Sequence, residues 1–143
     1  MLSTTSLHAV RAVGELAELG ADEYVGAATL AKKIGAPPNY LGKLLQLLSR
    51  HGIVDSRKGT GGGFRLARPP QTISLFEIVD PIEHVDRWNG CFLGNKRCGM
   101  NGGCTIHRRW RPVRDAYLQL LKESTADEIA AGVFPTGSAT MAS

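Results

Sequence analysis

No run of apolar residues in this chain of 143 approaches the length needed to cross a bilayer, so a protein built on membrane-spanning helices is not expected. The opening Met-Leu-Ser-Thr-Thr has neither the basic nor the hydrophobic stretch of a secretory leader, which predicts a mature cytoplasmic protein. Internal repeats are absent. There is no Gly-Lys-Ser/Thr after the glycines at 59 and 61 to 63, which counts against a phosphate-cradling nucleotide loop. Nor is there a nucleophile-base constellation or cofactor motif, so an enzyme is not expected. Cysteine is scarce: the chain has three, an odd number, and no tight Cys-x-x-Cys knuckle. A disulfide would leave one thiol over and is disfavoured in a reducing cytosol.

Those three cysteines nevertheless fall in one short stretch, Cys91 to His107. Six residues separate Cys91 from Cys98, five separate Cys98 from Cys104, and His107 follows after two more. Glycines at 90, 94, 99, 102 and 103 let the backbone fold around a small object, and the other neighbours are Asn, Lys and Arg rather than the apolar residues that buried cysteines would need. Thiolates suit iron-sulfur clusters or zinc, and histidine can replace one cysteine on a cluster iron. Three Cys and one His make a complete four-ligand set. Cys104 and His107 stand three apart at the expected start of a helix, where such positions share a face.

Charge is placed unevenly. Between Lys32 and Arg68 there are eight basic residues against one acid, Asp55, a net +7, whereas from residue 71 onward eight basic and eight acidic residues cancel. The first segment is a candidate polyanion-binding surface. Its pattern is specific. A first helix is expected over about 4 to 19, then a short extended piece at Tyr24-Val25 and a brief helix over 27 to 34 closed by Gly35. After Pro37-Pro38 a third helix runs to about His51, with Leu41, Leu44, Leu45 and Leu48 as its buried face and Asn39, Lys43, Gln46 and Arg50 opposite. Two helices joined by a tight turn, the second with a polar and basic outer face, form a helix-turn-helix. Two short strands follow, Ile53 to Arg57 and Phe64 to Leu66, joined through a basic, glycine-rich tip that reads as a wing, with Arg57, Lys58 and Arg65 supplying charge for phosphates.

Pro69-Pro70 then breaks the chain, and Ser74-Leu75-Phe76-Glu77 has the form of a capping box opening another helix, limited or kinked by Pro81. Beyond the cysteines, Ile106, Trp110, Val113, Tyr117 and Leu120 or Leu121 recur at spacings of three and four. This long apolar stripe exceeds what so small a core can cover, and Trp110, Val113, Tyr117 and Leu121 are expected at a homodimer interface, with packing onto the chain's own helices the alternative. Pro112 should bend that helix or mark its regular start. Thr125-Ala126-Asp127-Glu128 repeats the capping-box form for a last short helix with Ile129 as its apolar contact. The expected fold is mainly α with a small β wing: a winged helix-turn-helix domain over 1 to 73, a connecting helix, cysteine loop and dimerisation helix over 74 to 131, and a disordered tail over 132 to 143.

Over roughly residues 1 to 131 the chain resembles the IscR/NsrR-like family of dimeric bacterial winged-helix transcription regulators, many of which sense through an iron-sulfur cluster. The resemblance rests on Tyr40-Leu41 in the third helix, the wing string from Gly59 through Thr60 to Pro70, and the three spaced cysteines ahead of a long helix. It implies that Tyr40 and Thr60 join the DNA-contacting set and that the target is a palindromic double-stranded operator. It further implies a cluster ligated by Cys91, Cys98 and Cys104, [2Fe-2S] being favoured over [4Fe-4S]. Within the family one branch adds a histidine that falls on His107, and others take the remaining ligand from the first helix of the partner subunit, near the partner's His8. The first cysteine gap is one residue longer than is common in the IscR branch, and Arg57-Lys58 stands where relatives often place arginine just before the glycine. Structural zinc or a cluster-free thiol switch on the same DNA-binding frame is the alternative function; an iron-sulfur electron carrier would leave the +7 segment and the wing without a role.

Overall fold

Ser3 opens the first helix, its side-chain oxygen accepting from the backbone N–H of Ser6 at 3.1 Å and satisfying one of the donors that a helix start leaves without a partner. The computed structural model describes residues 2–20, 22–85, 92–93 and 105–130. Its elements run α1 (Thr4–Ala17), α2 (Ala27–Ile34), α3 (Pro38–Arg50), β1 (Val54–Arg57), β2 (Gly63–Leu66), α4 (Leu75–Glu83), α5 (Thr105–Glu123) and α6 (Ala126–Ala130), with a 3-10 turn at Pro70–Thr72 ahead of α4. The described part is thus mainly helical with a small two-stranded antiparallel sheet, the expected winged helix-turn-helix followed by a long helix. No helix among the described residues is long and apolar enough to cross a membrane.

The core follows the helical periodicity. From α1 it takes Ala9, Val10, Ala12, Val13 and Leu16, and from α3 Leu41, Leu44, Leu45 and Leu48. Ile53, Val54 and Phe64 join from the hairpin, and Ile73, Ile78, Val79, Val85, Ala126 and Ile129 belong to the same cluster. Hydrophobic packing therefore runs across residue 73, where the sequence suggests a boundary. Both α4 and α6 pack on α1. A backbone clip holds the C-terminal arm in place: the Leu75 N–H donates to the Ser124 carbonyl at 2.8 Å and the Ala126 N–H to that of Ile73 at 2.9 Å.

The extended piece at Tyr24-Val25 forms an antiparallel bridge to β2, the Val25 N–H donating to the Phe64 carbonyl at 3.0 Å and the Phe64 N–H to that of Val25 at 2.8 Å. Ser74 and Glu77 make the expected reciprocal capping box. Pro81 stays inside α4, which closes on His84 in the left-handed conformation (φ 53°). Pro112 does not mark the start of α5: about two turns of helix precede it. Cys91, Cys98, Cys104 and the tail expected over 132 to 143 lie outside the described residues.

Candidate nucleic-acid interface and metal centre

The outer face of α3 carries Asn39, Lys43, Gln46 and Arg50, all exposed, because the four leucines opposite them are buried. Tyr40 is half-buried: its ring meets that of His8 on α1 edge to face, centroids 5.5 Å apart, with the hydroxyl 3.4 Å from His8 Nδ1. An open groove runs beside this face, lined by Ala27 and Ala28 at the start of α2, by Pro38, Asn39, Gly42, Lys43 and Gln46 of α3, and by Phe64 at the root of the wing. Small residues keep it open. Three elements thus border one depression.

In the hairpin, Val54 pairs with Leu66, Asp55 with Arg65, Ser56 with Phe64 and Arg57 with Gly63. Val54 and Phe64 are buried, so strand alternation puts Asp55, Arg57 and Arg65 together on the outer face. Both arginines lie over the ring of Tyr24, Arg65 at 4.7 Å and Arg57 at 5.8 Å from its centroid. Lys58 and Thr60 are exposed at the tip. Two glycines serve the hairpin itself: a Cβ on Gly62 would lie 2.2 Å from the Arg57 carbonyl oxygen, and one on Gly63 (φ 136°) would lie 2.4 Å from that of Val25. Arg68, counted in the basic segment, is engaged within the fold, donating to Glu77 at 2.8 Å and to the Thr72 carbonyl at 3.3 Å. Burial raises the Glu77 pKa, but the Ser74 N–H, the Arg68 guanidinium and the Ser74 hydroxyl outweigh it and hold the carboxyl below its ordinary value.

Of the candidate metal ligands, the two histidines are described. His107, in the first turn of α5, is half-buried, and its Nδ1 is buried with no hydrogen-bond partner among the described residues. Nearby Trp110 packs against Phe92, the residue after Cys91, with centroids 5.1 Å apart. His8 has its pKa lowered, first by burial and then by the charge of Arg11, which favours the neutral imidazole that a metal would need. Among the described residues no three His, Cys, Asp or Glu gather for a metal ion.

Sequence reasoning missed Glu83. It is 8% exposed, and its carboxylate accepts from the Ser3 N–H at 2.9 Å and the Ser6 hydroxyl at 2.7 Å, joining the end of α4 to the start of α1. On α5, burial and then the Glu83 charge raise the Tyr117 pKa, so the three helices meet around this group. A lone glutamate at a helix end gives no sequence signal of this. Tyr24 was also missed, although alternation about the inward-facing Val25 would have put it on the outer face.

The apolar stripe of α5 divides. Leu121 is 2% exposed within the single chain, whereas Val113 is 59%, Leu120 56% and Ile106 38% exposed; Trp110 and Tyr117 lie between, half-buried. Position 121 therefore faces the chain's own helices, and position 120 carries the stripe outward.

Residues 2–132 match the Rrf2 family, described as iron-dependent transcriptional regulators. The chain is 28% identical over 116 residues to the transcriptional repressor NsrR of Streptomyces coelicolor, covering 81% of this chain and 76% of that one. It is 26% identical over 128 residues to the regulator IscR of Pectobacterium carotovorum, covering 90% and 77%. The structure of CymR, the global cysteine regulator of B. subtilis, shares its fold, with a TM-score of 0.76 and 21% identity over 92% of this chain and 96% of that one. With almost its whole length inside the match, the chain belongs to the Rrf2 family of transcriptional regulators.

Proposed function

We propose that this regulator binds a palindromic operator as a homodimer and that its affinity answers to an iron-sulfur cluster held by Cys91, Cys98, Cys104 and His107. The observation that carries the DNA-binding half is the common groove of α2, α3 and the wing, with Asn39, Lys43, Gln46 and Arg50 exposed on α3, Arg57, Lys58 and Thr60 exposed on the wing, and Arg65 half-buried beside them. Side chains on α3 read base edges, Tyr40 flanks them, and the wing cations neutralise phosphates. Trp110, Val113 and Tyr117, with Leu120 continuing the exposed stripe, form the dimer contact that sets the two α3 helices at half-site spacing.

The donor set fits a cluster: three thiolates and an imidazole are complete, and His107 Nδ1 is the kind of unsatisfied buried nitrogen that a ligand site leaves. Such a cluster, [2Fe-2S] in preference to [4Fe-4S], supplies a centre that can be lost, oxidised or modified; a coupling of about 1.4 kcal/mol to operator affinity is a tenfold response. The partner's His8 is the second candidate for the fourth ligand. Structural zinc, or a cluster-free thiol switch, would keep the same DNA face.

Anaerobic purification with an absorption spectrum and counts of iron and sulfide tests the proposal. Stoichiometric iron and sulfide that each of Cys91→Ala, Cys98→Ala and Cys104→Ala removes is the expected result, with His107→Ala changing the spectrum and His8→Ala leaving it alone. Stoichiometric zinc without iron overturns the cluster, and an unchanged spectrum in both histidine variants removes them as ligands.

A further inference from the structure

The wing presents Arg57 and Arg65 on one face with Asp55, the register partner of Arg65, and long side chains so placed spread over many rotamers. The bridge between Val25 and Phe64 makes residue 24 the cross-strand neighbour of residue 65, since positions adjacent to a bridged pair face each other. Val25 and Phe64 turn inward, so Tyr24 and Arg65 turn outward together. Arg57, diagonal to Arg65 across the β1–β2 register, reaches the same ring. Centroid distances of 4.7 Å and 5.8 Å lie within cation–π range. Gly63 allows this third line of chain to approach, because any side chain there would strike the Val25 carbonyl.

We infer that Tyr24 is a positioning residue for DNA binding: it holds the guanidinium groups of Arg57 and Arg65 on the outer face of the wing, ready for a polyanionic backbone. The inference rests on the DNA-binding reading above. A planar ring shared by two cations attracts and restricts both side chains before contact, so less ordering is needed when phosphates arrive. A tyrosine that merely filled space would act on stability and leave the arginines indifferent to it.

Binding of a short random-sequence DNA duplex, followed by fluorescence anisotropy at fixed low salt, reads the effect without knowledge of the operator. Tyr24→Leu should weaken binding about fivefold, and Tyr24→Phe, which keeps the ring face, should bind as the wild type does. In the Arg57→Ala/Arg65→Ala background, Tyr24→Leu should have no further effect. Wild-type binding with Tyr24→Leu unchanged, or an equal loss with and without the arginines, overturns the inference and leaves the DNA-binding reading standing. A wild-type protein that does not bind the duplex overturns that reading and this inference with it. Without DNA, NMR should find the Arg57 and Arg65 side-chain protons shifted upfield by the ring in the wild type and Tyr24→Phe but not in Tyr24→Leu; unshifted protons in the wild type overturn the inference.

Discussion

At the scale of single residues, basic positions with the same formal charge have different fates. Arg57 and Lys58 are exposed on the wing, so Arg57→Ala and Lys58→Ala should each flatten the slope of log affinity against log salt by about one unit, as measured by salt titration of duplex binding. Arg68 is tied to Glu77 and should leave that slope alone. Asn39→Ala and Lys43→Ala should instead change which operator sequence is preferred, measured by selection from a randomised duplex pool. The polar face of α3 was legible from spacing, since burying Leu41, Leu44, Leu45 and Leu48 forces its opposite outward. Glu83 was not legible, because its partners lie at the far end of the chain, on Ser3 and Ser6. Glu83→Ala leaves both of those donors without their acceptor and should cost about 1–3 kcal/mol in urea unfolding, with Glu83→Gln milder.

Among the elements, the start of α4 was the most readable from sequence. Ser74 accepts from the Glu77 N–H at 3.2 Å, and Glu77 accepts from the Ser74 N–H at 3.0 Å, so the motif folds as written. Ser74→Ala should cost about 1 kcal/mol by chemical denaturation. The folded-state pKa of Glu77 is depressed, so the stability that its ionised form contributes is present above the ordinary glutamate pKa and is lost as pH falls through the lower folded value. An acid unfolding series should therefore find Glu77→Gln less sensitive than the wild type in that window. At α6 the same four-residue form is built differently: the Thr125 hydroxyl and N–H both reach Glu128 Oε1, at 3.1 and 3.4 Å, while the Glu128 N–H donates to the Thr125 backbone carbonyl at 3.1 Å. A motif specifies that a helix begins, and the surrounding backbone decides which atoms cap it.

For the whole molecule, the divided stripe of α5 separates folding from assembly. Val113→Asp puts a charge on the exposed side and should give monomers with unchanged helix content and unfolding temperature, measured by sedimentation and circular dichroism. Leu121→Ala hollows a buried site and should cost about 2–5 kcal/mol of stability. Wild-type protein that sediments as a monomer at micromolar concentration would remove the dimer. The sequence by itself determined the local events: where helices and strands form, which face of each is apolar and where the basic segment lies. Those follow from periodicity, capping and side-chain type, which act within a few residues. Only the tertiary structure decided that Leu121 faces inward and Leu120 outward, that Arg68 is engaged, that α4 and α6 complete the core of α1, and that Tyr24 meets the wing arginines. Each depends on which distant segment fills the neighbouring space, and close packing of side chains from opposite ends of a chain leaves no short-range pattern to read.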